Sequence, residues 1–292
     1  MIRVILFLLT NLSVMFMFGT VLFLTGMKSN SIKALMVLSS IVGVSGSITS
    51  LILSKWSALK SVNGQIIYRP RNSMEAWILD VVRYQASQLG IQTPEVAIYH
   101  TQSVNAFATG YSKNSSLIAL STGLLNNLNK ENIQAVISHE MSHIVNGDMV
   151  TLALLQGVIN TFVFFISTFI SRSIVHFLSQ HRRSNYVRAY GFFINYVASI
   201  FLQALFGMIA SVIVMSFSRY REFRADADAA KRIGWDKMLC LLIQFKKVTE
   251  PQTAEEIKTY CINGQSKSFY NLFSSHPPVQ DRINALHKKS YA

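Results

Sequence analysis

Four long stretches of this 292-residue chain carry no charged side chain, and no other feature constrains its fold as strongly. They run Val4 to Met27, Ala34 to Ser54, Met149 to Ser171 and Ala189 to Ser218. Each reaches the roughly 20 residues that a helix needs to cross about 30 Å of hydrocarbon. The chain is 50% hydrophobic and only 14% charged, so four such helices inside a soluble core would leave too little polar surface to cover them. The pattern predicts a mainly α, integral membrane protein with four transmembrane helices. The first block is expected to stay attached as an anchor, because its apolar stretch is long, only Arg3 precedes it and no persuasive small-residue cleavage site follows. In the second, Ser39, Gly43 and Ser47 form a stripe of small residues that lets helices approach closely. Gln156, Asn160, Asn195 and Gln203 make the later pair more polar and require partners in a helical bundle or a water-filled cavity.

The rest reads as soluble sequence, dividing the chain into a hairpin at 1–55, a soluble part at 56–148, a second hairpin at 149–218 and a closing soluble part at 219–292. Ser73 to Leu89 has helical periodicity, with Trp77, Val81, Tyr84 and Leu89 as its apolar face and Gly90 as its stop. Glu95–Tyr99, Ala106–Thr109 and Leu117–Ser121 read as short strands, with Gly110 and Lys113-Asn114-Ser115 as turn formers between the last two. Asn129 and Gly147 bracket a further helix whose packing stripe is Ile133, Ile137, Met141 and Ile144. Arg219–Arg232 and Trp235–Lys247 are predicted helices separated near Gly234, and residues from Thr249 to Ser268 are polar and expected to be mobile.

Within the helix bracketed by Asn129 and Gly147 stands His139-Glu140-Met141-Ser142-His143. Two imidazoles four residues apart project the same way and can grip one Zn²⁺, and a carboxylate beside them can act as general base; the pattern is that of a zinc metalloprotease. A catalytic zinc takes three protein ligands and keeps a fourth position open, so one more ligand is needed. Glu222 is the choice, with Asp226 one turn further on the same face, placed to accept a hydrogen bond from a ligand histidine. Spacing alone leaves open that Glu222 only pairs with Arg219 or Arg221 on a charged interfacial helix. Two other readings compete. An intramembrane metalloprotease is disfavoured by Asn126, Asn127, Asn129, Lys130, Glu131 and Asn132, too polar for bilayer depth. A membrane scaffold with a closed structural zinc is disfavoured by the absence of nearby cysteine.

Any third ligand must share a membrane face with His139 and His143, and two crossings return the chain to that face. Lys and Arg within about 20 residues of the helix ends number twelve on that side (Arg3, Lys55, Lys60, Arg69, Arg71, Lys130, Arg219, Arg221, Arg224, Lys231, Arg232, Lys237). The other side has six (Lys28, Lys33, Arg172, Arg182, Arg183, Arg188), so both termini and the motif are expected in the cytoplasm. The net charge of +13 fits attraction to anionic lipid rather than nucleic acid, for which no motif is present. Cys240 and Cys261 are expected to be unpaired packing residues.

The zinc motif, Glu222-x-x-Ala225-Asp226, the upstream Asn105-Ala106-Phe107-Ala108-Thr109-Gly110, and Ser275-His276-Pro277-Pro278 followed by Arg282 together resemble the HtpX family of bacterial membrane heat-shock proteases, relatives of the CAAX prenyl endopeptidases. The resemblance spans nearly the whole chain. It implies a cytoplasmic gluzincin-type α+β metalloprotease domain with a small β-sheet, in the inner membrane. It further implies one Zn²⁺ per chain held by His139, His143 and Glu222, with Glu140 as catalytic base. By the same resemblance Asn105 lies on a substrate-binding edge strand, His276 and Arg282 contact the substrate carbonyl or oxyanion, and the polypeptide substrates are damaged or misassembled membrane proteins. His100, His176, His181 and His287 match no motif and are read as surface or interface residues.

Overall fold

The structure, a computed structural model, describes residues 29–181, 185–249 and 276–288. The first apolar block, Cys261 and nearly all of the polar stretch from Thr249 to Ser268 lie outside them. The described residues divide into two compact units, one from residues up to Ser50 together with Thr151–Val214, the other from Leu51–Val150 and Met215 onward.

The first unit is built on helices. α1 is Ser29–Ile52, and after the second unit's elements the chain returns as α6, Asp148–His181, and α7, Asn185–Ile233. Among the described residues these three helices are long and apolar enough to cross a membrane, over Leu35–Ile52, Asp148–Leu178 and Gly191–Ile233. The small-residue stripe of α1 has a partner: Ser39, Gly43 and Ser47 are buried, and a Cβ at Gly43 would stand 2.7 Å from the backbone nitrogen of Thr161 on α6. Absence of a side chain lets these two backbones touch, which is how helices gain packing energy where lipid and side chain are equally apolar. Gln156, Asn160 and Asn195 also find partners. Gln156 donates to Asn160 at 2.8 Å, and the Ser171 hydroxyl, 2.8 Å from Oδ1 of Asn195, is the donor of that pair.

α7 differs from the sequence expectation. Instead of an apolar helix followed by a separate one at Arg219–Arg232, one helix of 49 residues, about 74 Å at 1.5 Å per residue, runs through both. Nothing between Ser218 and Ile233 breaks a helix, and the first glycine past that point is Gly234.

The second unit carries α2 (Ser54–Val62), β1 (Gln65–Ile66), α3 (Ser73–Gln88), β2 (Glu95–Tyr99), β3 (Ala106–Ser112), β4 (Ser115–Ser121), α4 (Thr122–Asn127) and α5 (Lys130–Asn146), then the end of α7, α8 (Trp235–Thr249) and α9 (Val279–His287). The strands lie in the order β1-β2-β4-β3; β2 and β4 are parallel, and the other pairs antiparallel. β4 is thus central, with five consecutive core-facing or fully covered residues from Leu117 to Ser121, and β3 is an edge strand. The two-residue β1, α2 and α4 were not read from the sequence.

α3 turns a different face inward than expected. Ile78, Val82, Gln85 and Ala86 are buried, Trp77, Val81 and Leu89 flank the core, and Tyr84 is exposed. α5 behaves as its pattern demands: Asn129 caps it by accepting from the Asn132 amide, and Ile133, Ile137, Met141 and Ile144 are fully buried. They pack with Ile118, Leu120, Leu124, Met238, Leu242 and Ile283 into one core under the sheet. Cys240, expected to pack, is exposed.

Gly43→Leu should force α1 and α6 apart and cost about 1–3 kcal/mol as overpacking does. Gly46→Leu, whose added Cβ meets nothing within 4 Å, is the control. Thermal unfolding of the detergent-solubilised protein checks it: a lower midpoint for the first and little change for the second is the expected outcome.

Candidate active site

His139 and His143 sit one turn apart on α5, and Glu222 enters from α7 just past its apolar run. Their ligand atoms lie close together, each imidazole meeting a different oxygen of the carboxylate. The two Nε2 atoms are 3.2 Å apart, His143 Nε2 is 3.3 Å from Glu222 Oε1, and His139 Nε2 is 3.4 Å from Glu222 Oε2. Ligands about 2.0–2.1 Å from one tetrahedral metal stand about 3.3 Å from each other, so the donor set fits a metal ion such as zinc. This trio is the group of His, Cys, Asp and Glu among the described residues that could hold one. Oε2 of Glu222 is buried without an aligned hydrogen bond, as an atom reserved for a metal would be.

Each imidazole is backed by a carboxylate. Asp226, on the same face of α7 as Glu222, brings Oδ1 to 2.9 Å from His139 Nδ1, an ionic approach off the ring N–H axis. Asp148 Oδ2 lies 2.7 Å from His143 Nδ1 in a hydrogen bond. The Asp148 hydrogen bond holds a proton on His143 Nδ1 and turns its Nε2 toward the ligand position, and the Asp226 carboxylate favours a proton on His139 Nδ1 electrostatically. Behind each carboxylate stands a guanidinium. Arg282 of α9 grips Asp226 with two hydrogen bonds of 2.7 and 2.6 Å, and Arg221 reaches Asp148 at 3.8 Å. Arg221 therefore points to Asp148, and Glu222 faces the histidines.

Sequence reasoning missed Asp148. Gly147, in the left-handed conformation at φ 61°, ends α5, and Asp148 starts α6 at once, so its carboxylate turns back over the last turn of α5. A carboxylate directly after the glycine stop, five positions beyond the second histidine, was the available signal. Also missed was a clamp behind the motif: Arg232 donates to the Ser138 carbonyl at 2.6 Å and to the Ser142 hydroxyl, and Asn146 donates to Asp228 at 2.8 Å. These contacts tie α7 to α5 and hold the triangle in register.

The remaining predicted residues converge on one cavity of about 200 Å³, lined by His139, Glu140, Glu222, His276, Arg282 and Asn105 among others. Asn105 precedes β3 directly, with its backbone committed to Ser121 on β4. His276 places Nδ1 2.9 Å from Glu222 Oε2, and Arg282 spans Asp226 and Glu222, the latter at 3.6 Å. His100, His176 and His287 are exposed and belong to no such grouping among the described residues, while the side chain of His181 lies outside them.

Burial opposes charge on His139, yet Asp226 and Glu222 outweigh it and raise its pKa to about 10. His143 shifts in the same direction, since Asp148 and Glu222 overcome its burial. In the metal-free chain these rings hold protons that a metal must displace. Metal affinity should therefore rise with pH from 6 toward 10, and calorimetry at pH 7.5 in buffers of different ionisation enthalpy should record proton release. Removing the backing carboxylate by Asp148→Ala should weaken metal binding about 10–100-fold, read by competition with a chromophoric chelator.

Comparison with known proteins agrees with this geometry. The family model for Peptidase family M48 matches residues 72–290. Protease HtpX of Buchnera aphidicola subsp. Acyrthosiphon pisum (strain Tuc7) is 52% identical over 291 residues, covering 100% of both chains. Protease HtpX of Yersinia enterocolitica serotype O:8 / biotype 1B (strain NCTC 13174 / 8081) is 49% identical over 291 residues, 100% of this chain and 99% of that one. The crystal structure of S. mikatae Ste24p shares the fold at a TM-score of 0.61 and 17% identity, over 86% of this chain and 58% of the Ste24p chain. With its apolar helices and its triangle of donors, the chain belongs to peptidase family M48 and, within it, to the HtpX proteases, a family of membrane metallopeptidases.

Proposed function

We propose that this chain is a zinc-dependent endopeptidase of the bacterial inner membrane that cuts misfolded or damaged membrane proteins at the cytoplasmic face. The observation that carries the reading is the cluster of His139, His143 and Glu222, whose two Nε2 atoms stand 3.2 Å apart and 3.4 and 3.3 Å from the two oxygens of Glu222, beside the buried carboxylate of Glu140. A bound zinc supplies Lewis-acid chemistry, lowering the pKa of water from 15.7 toward about 7.

The protein's own residues do the rest. Glu140 accepts the proton of the attacking water and passes it to the departing amine. Asp226 and Asp148 orient the two imidazoles. His276 and Arg282, which line the same cavity, donate to the carbonyl oxygen as it gains charge. The outer edge of β3, which pairs only with β4 among the described residues, offers main-chain groups to an extended substrate, and Asn105 stands at the start of that strand.

The cytoplasmic placement and the four-helix topology are supported by the Lys and Arg asymmetry around the apolar blocks, and the basic flanks suit anionic lipid. α5, which carries the motif, is not among the helices apolar enough to cross a membrane, which argues against cleavage within the bilayer. A scaffold with an inert zinc is disfavoured by Glu140, a buried carboxylate lining the cavity beside the triangle.

Purified protein should degrade an unfolded substrate such as casein and stop when a chelator is added. Glu140→Gln should keep its zinc and lose at least about 100-fold in rate, the scale of a general base. His139→Ala and Glu222→Ala should lose the metal itself, measured by elemental analysis after dialysis. Full turnover by Glu140→Gln would refute the assignment.

A further inference from the structure

Tyr99, the last residue of β2, is buried at 4% exposure and has no part in the chemistry described above. Its ring packs with Ala97, Leu117 and Ala119 on one face of the sheet and against Phe107 of β3, the ring centroids 5.7 Å apart. The hydroxyl at the end of this fixed ring is buried without an aligned hydrogen bond. Folded proteins rarely leave a buried donor in that state, so its intended partner has to be found.

Two polar side chains act on the hydroxyl, those of Asn105 and Ser121. Ser121 has nothing left to offer. Its Oγ donates its one proton to the Ser103 carbonyl at 2.7 Å, and its lone pairs accept from the backbone N–H groups of Asn105 at 3.1 Å and Leu124 at 2.9 Å. Asn105 is in the opposite state. Its backbone N–H and C=O are both held by Ser121, while no hydrogen bond among the described residues aligns on its exposed carboxamide. That side chain can turn without disturbing the strand, and it lines the same cavity as Glu140 and the metal ligands. Burial, with the nearby Glu140 carboxylate adding to it, outweighs the Asn105 and Ser121 contacts and raises the pKa of the phenol. At neutral pH the hydroxyl therefore keeps its proton and is a donor.

We propose that Tyr99 is a positioning residue for substrate binding: its hydroxyl donates to Oδ1 of Asn105 when a chain lies along β3, which turns the amide N–H groups of Asn105 into the cavity to donate to a main-chain carbonyl of that chain. The inference rests on the peptidase reading above, with the place given there to β3, and deepens it. The packed ring is the fixed point and the carboxamide is the part that turns. A contact of this kind strengthens binding and leaves the chemical step alone, because Tyr99 is not among the residues lining the cavity. It also relieves the orphaned hydroxyl, so the free chain favours an occupant that brings a main-chain carbonyl to Asn105.

The test uses the full chain in detergent, zinc-loaded and carrying Glu140→Gln, with fluorescently labelled casein as an unfolded probe whose affinity is read by anisotropy. Adding Tyr99→Phe, which deletes only the hydroxyl and keeps the packed ring, should weaken binding about 3–10-fold, the scale of one hydrogen bond, without lowering the thermal midpoint. Asn105→Ala should weaken it at least as much, and Tyr99→Phe added to Asn105→Ala should have no further effect, as two residues acting through one contact require. Tyr84→Phe, which removes an exposed hydroxyl on α3, is the control. With Glu140 restored, Tyr99→Phe should raise KM for casein by the same factor at unchanged kcat, whereas a merely structural role would lower kcat with the folded fraction. Unchanged affinity on Tyr99→Phe overturns the inference, as does an equal loss with and without the Asn105 side chain. Absence of casein binding by the Glu140→Gln chain overturns it too, because no occupant is then there to be positioned. Absence of cleavage by the unmutated protein while binding persists counts against the peptidase reading alone.

Discussion

A carboxylate 3% exposed and wedged between two imidazoles is the contact on which the rest of the catalytic unit depends. Burying Glu222 costs several kcal/mol unless charge of the opposite sign meets it. That requirement explains the neighbours: His139 and His143 on one side, His276 and Arg282 on the other, all within 3.6 Å. It also explains why α7 must approach α5 so closely. Ala225, Ala229 and Ala230 of α7 are fully buried there. Arg232 and Asp228 then fix the rotation of α7, because they hold α5 at two further points. The metal triangle is thus the product of helix packing more than of any loop, and such a site keeps its geometry without help from a ligand.

The remaining elements are arranged around that joint. The sheet stands beside α5 and presents β3, an edge strand, to the cavity, while β4 is wrapped into the core. α8 and α9 supply what the motif helices do not: an apolar wall of the cavity, and Arg282 behind Asp226. Two parallel series result, His139 to Asp226 to Arg282 and His143 to Asp148 to Arg221. In each, an anion orients an imidazole and a guanidinium stands behind the anion; at Asp226 the Arg282 charge outweighs burial and holds the carboxyl below its usual range.

Much of this was legible in the sequence because it is local. The Asn129 cap, the Gly147 stop and the stripe from Ile133 to Ile144 are written within one helix, where a period of 3.6 and a few capping rules suffice. The apolar blocks announce membrane helices for the same reason. Spacing alone could not decide what Glu222 meets, because its partners lie some eighty positions upstream; only the likeness to a known family pointed to them. Asp148 was overlooked because helical periodicity ends at Gly147, and contacts across a tight corner follow no period. The inward face of α3 was misjudged by one position, since Tyr84 and Ile78 are equally apolar to a pattern but not equally placed against a core. The parallel pairing of β2 with β4, and the service of α8 to the cavity, depend on tertiary packing that no local signal records.

The grouping of charges around the triangle has one further consequence. Four acidic groups, Glu140, Asp148, Glu222 and Asp226, stand against two permanent cations, Arg221 and Arg282, which leaves a formal deficit of two positive charges. The raised affinity of both imidazoles for protons expresses that deficit in the metal-free chain. A divalent ion brings the same charge that two protons would. Exchange of one for the other would therefore be close to isocoulombic, adding little net charge to a site that already holds four carboxylates.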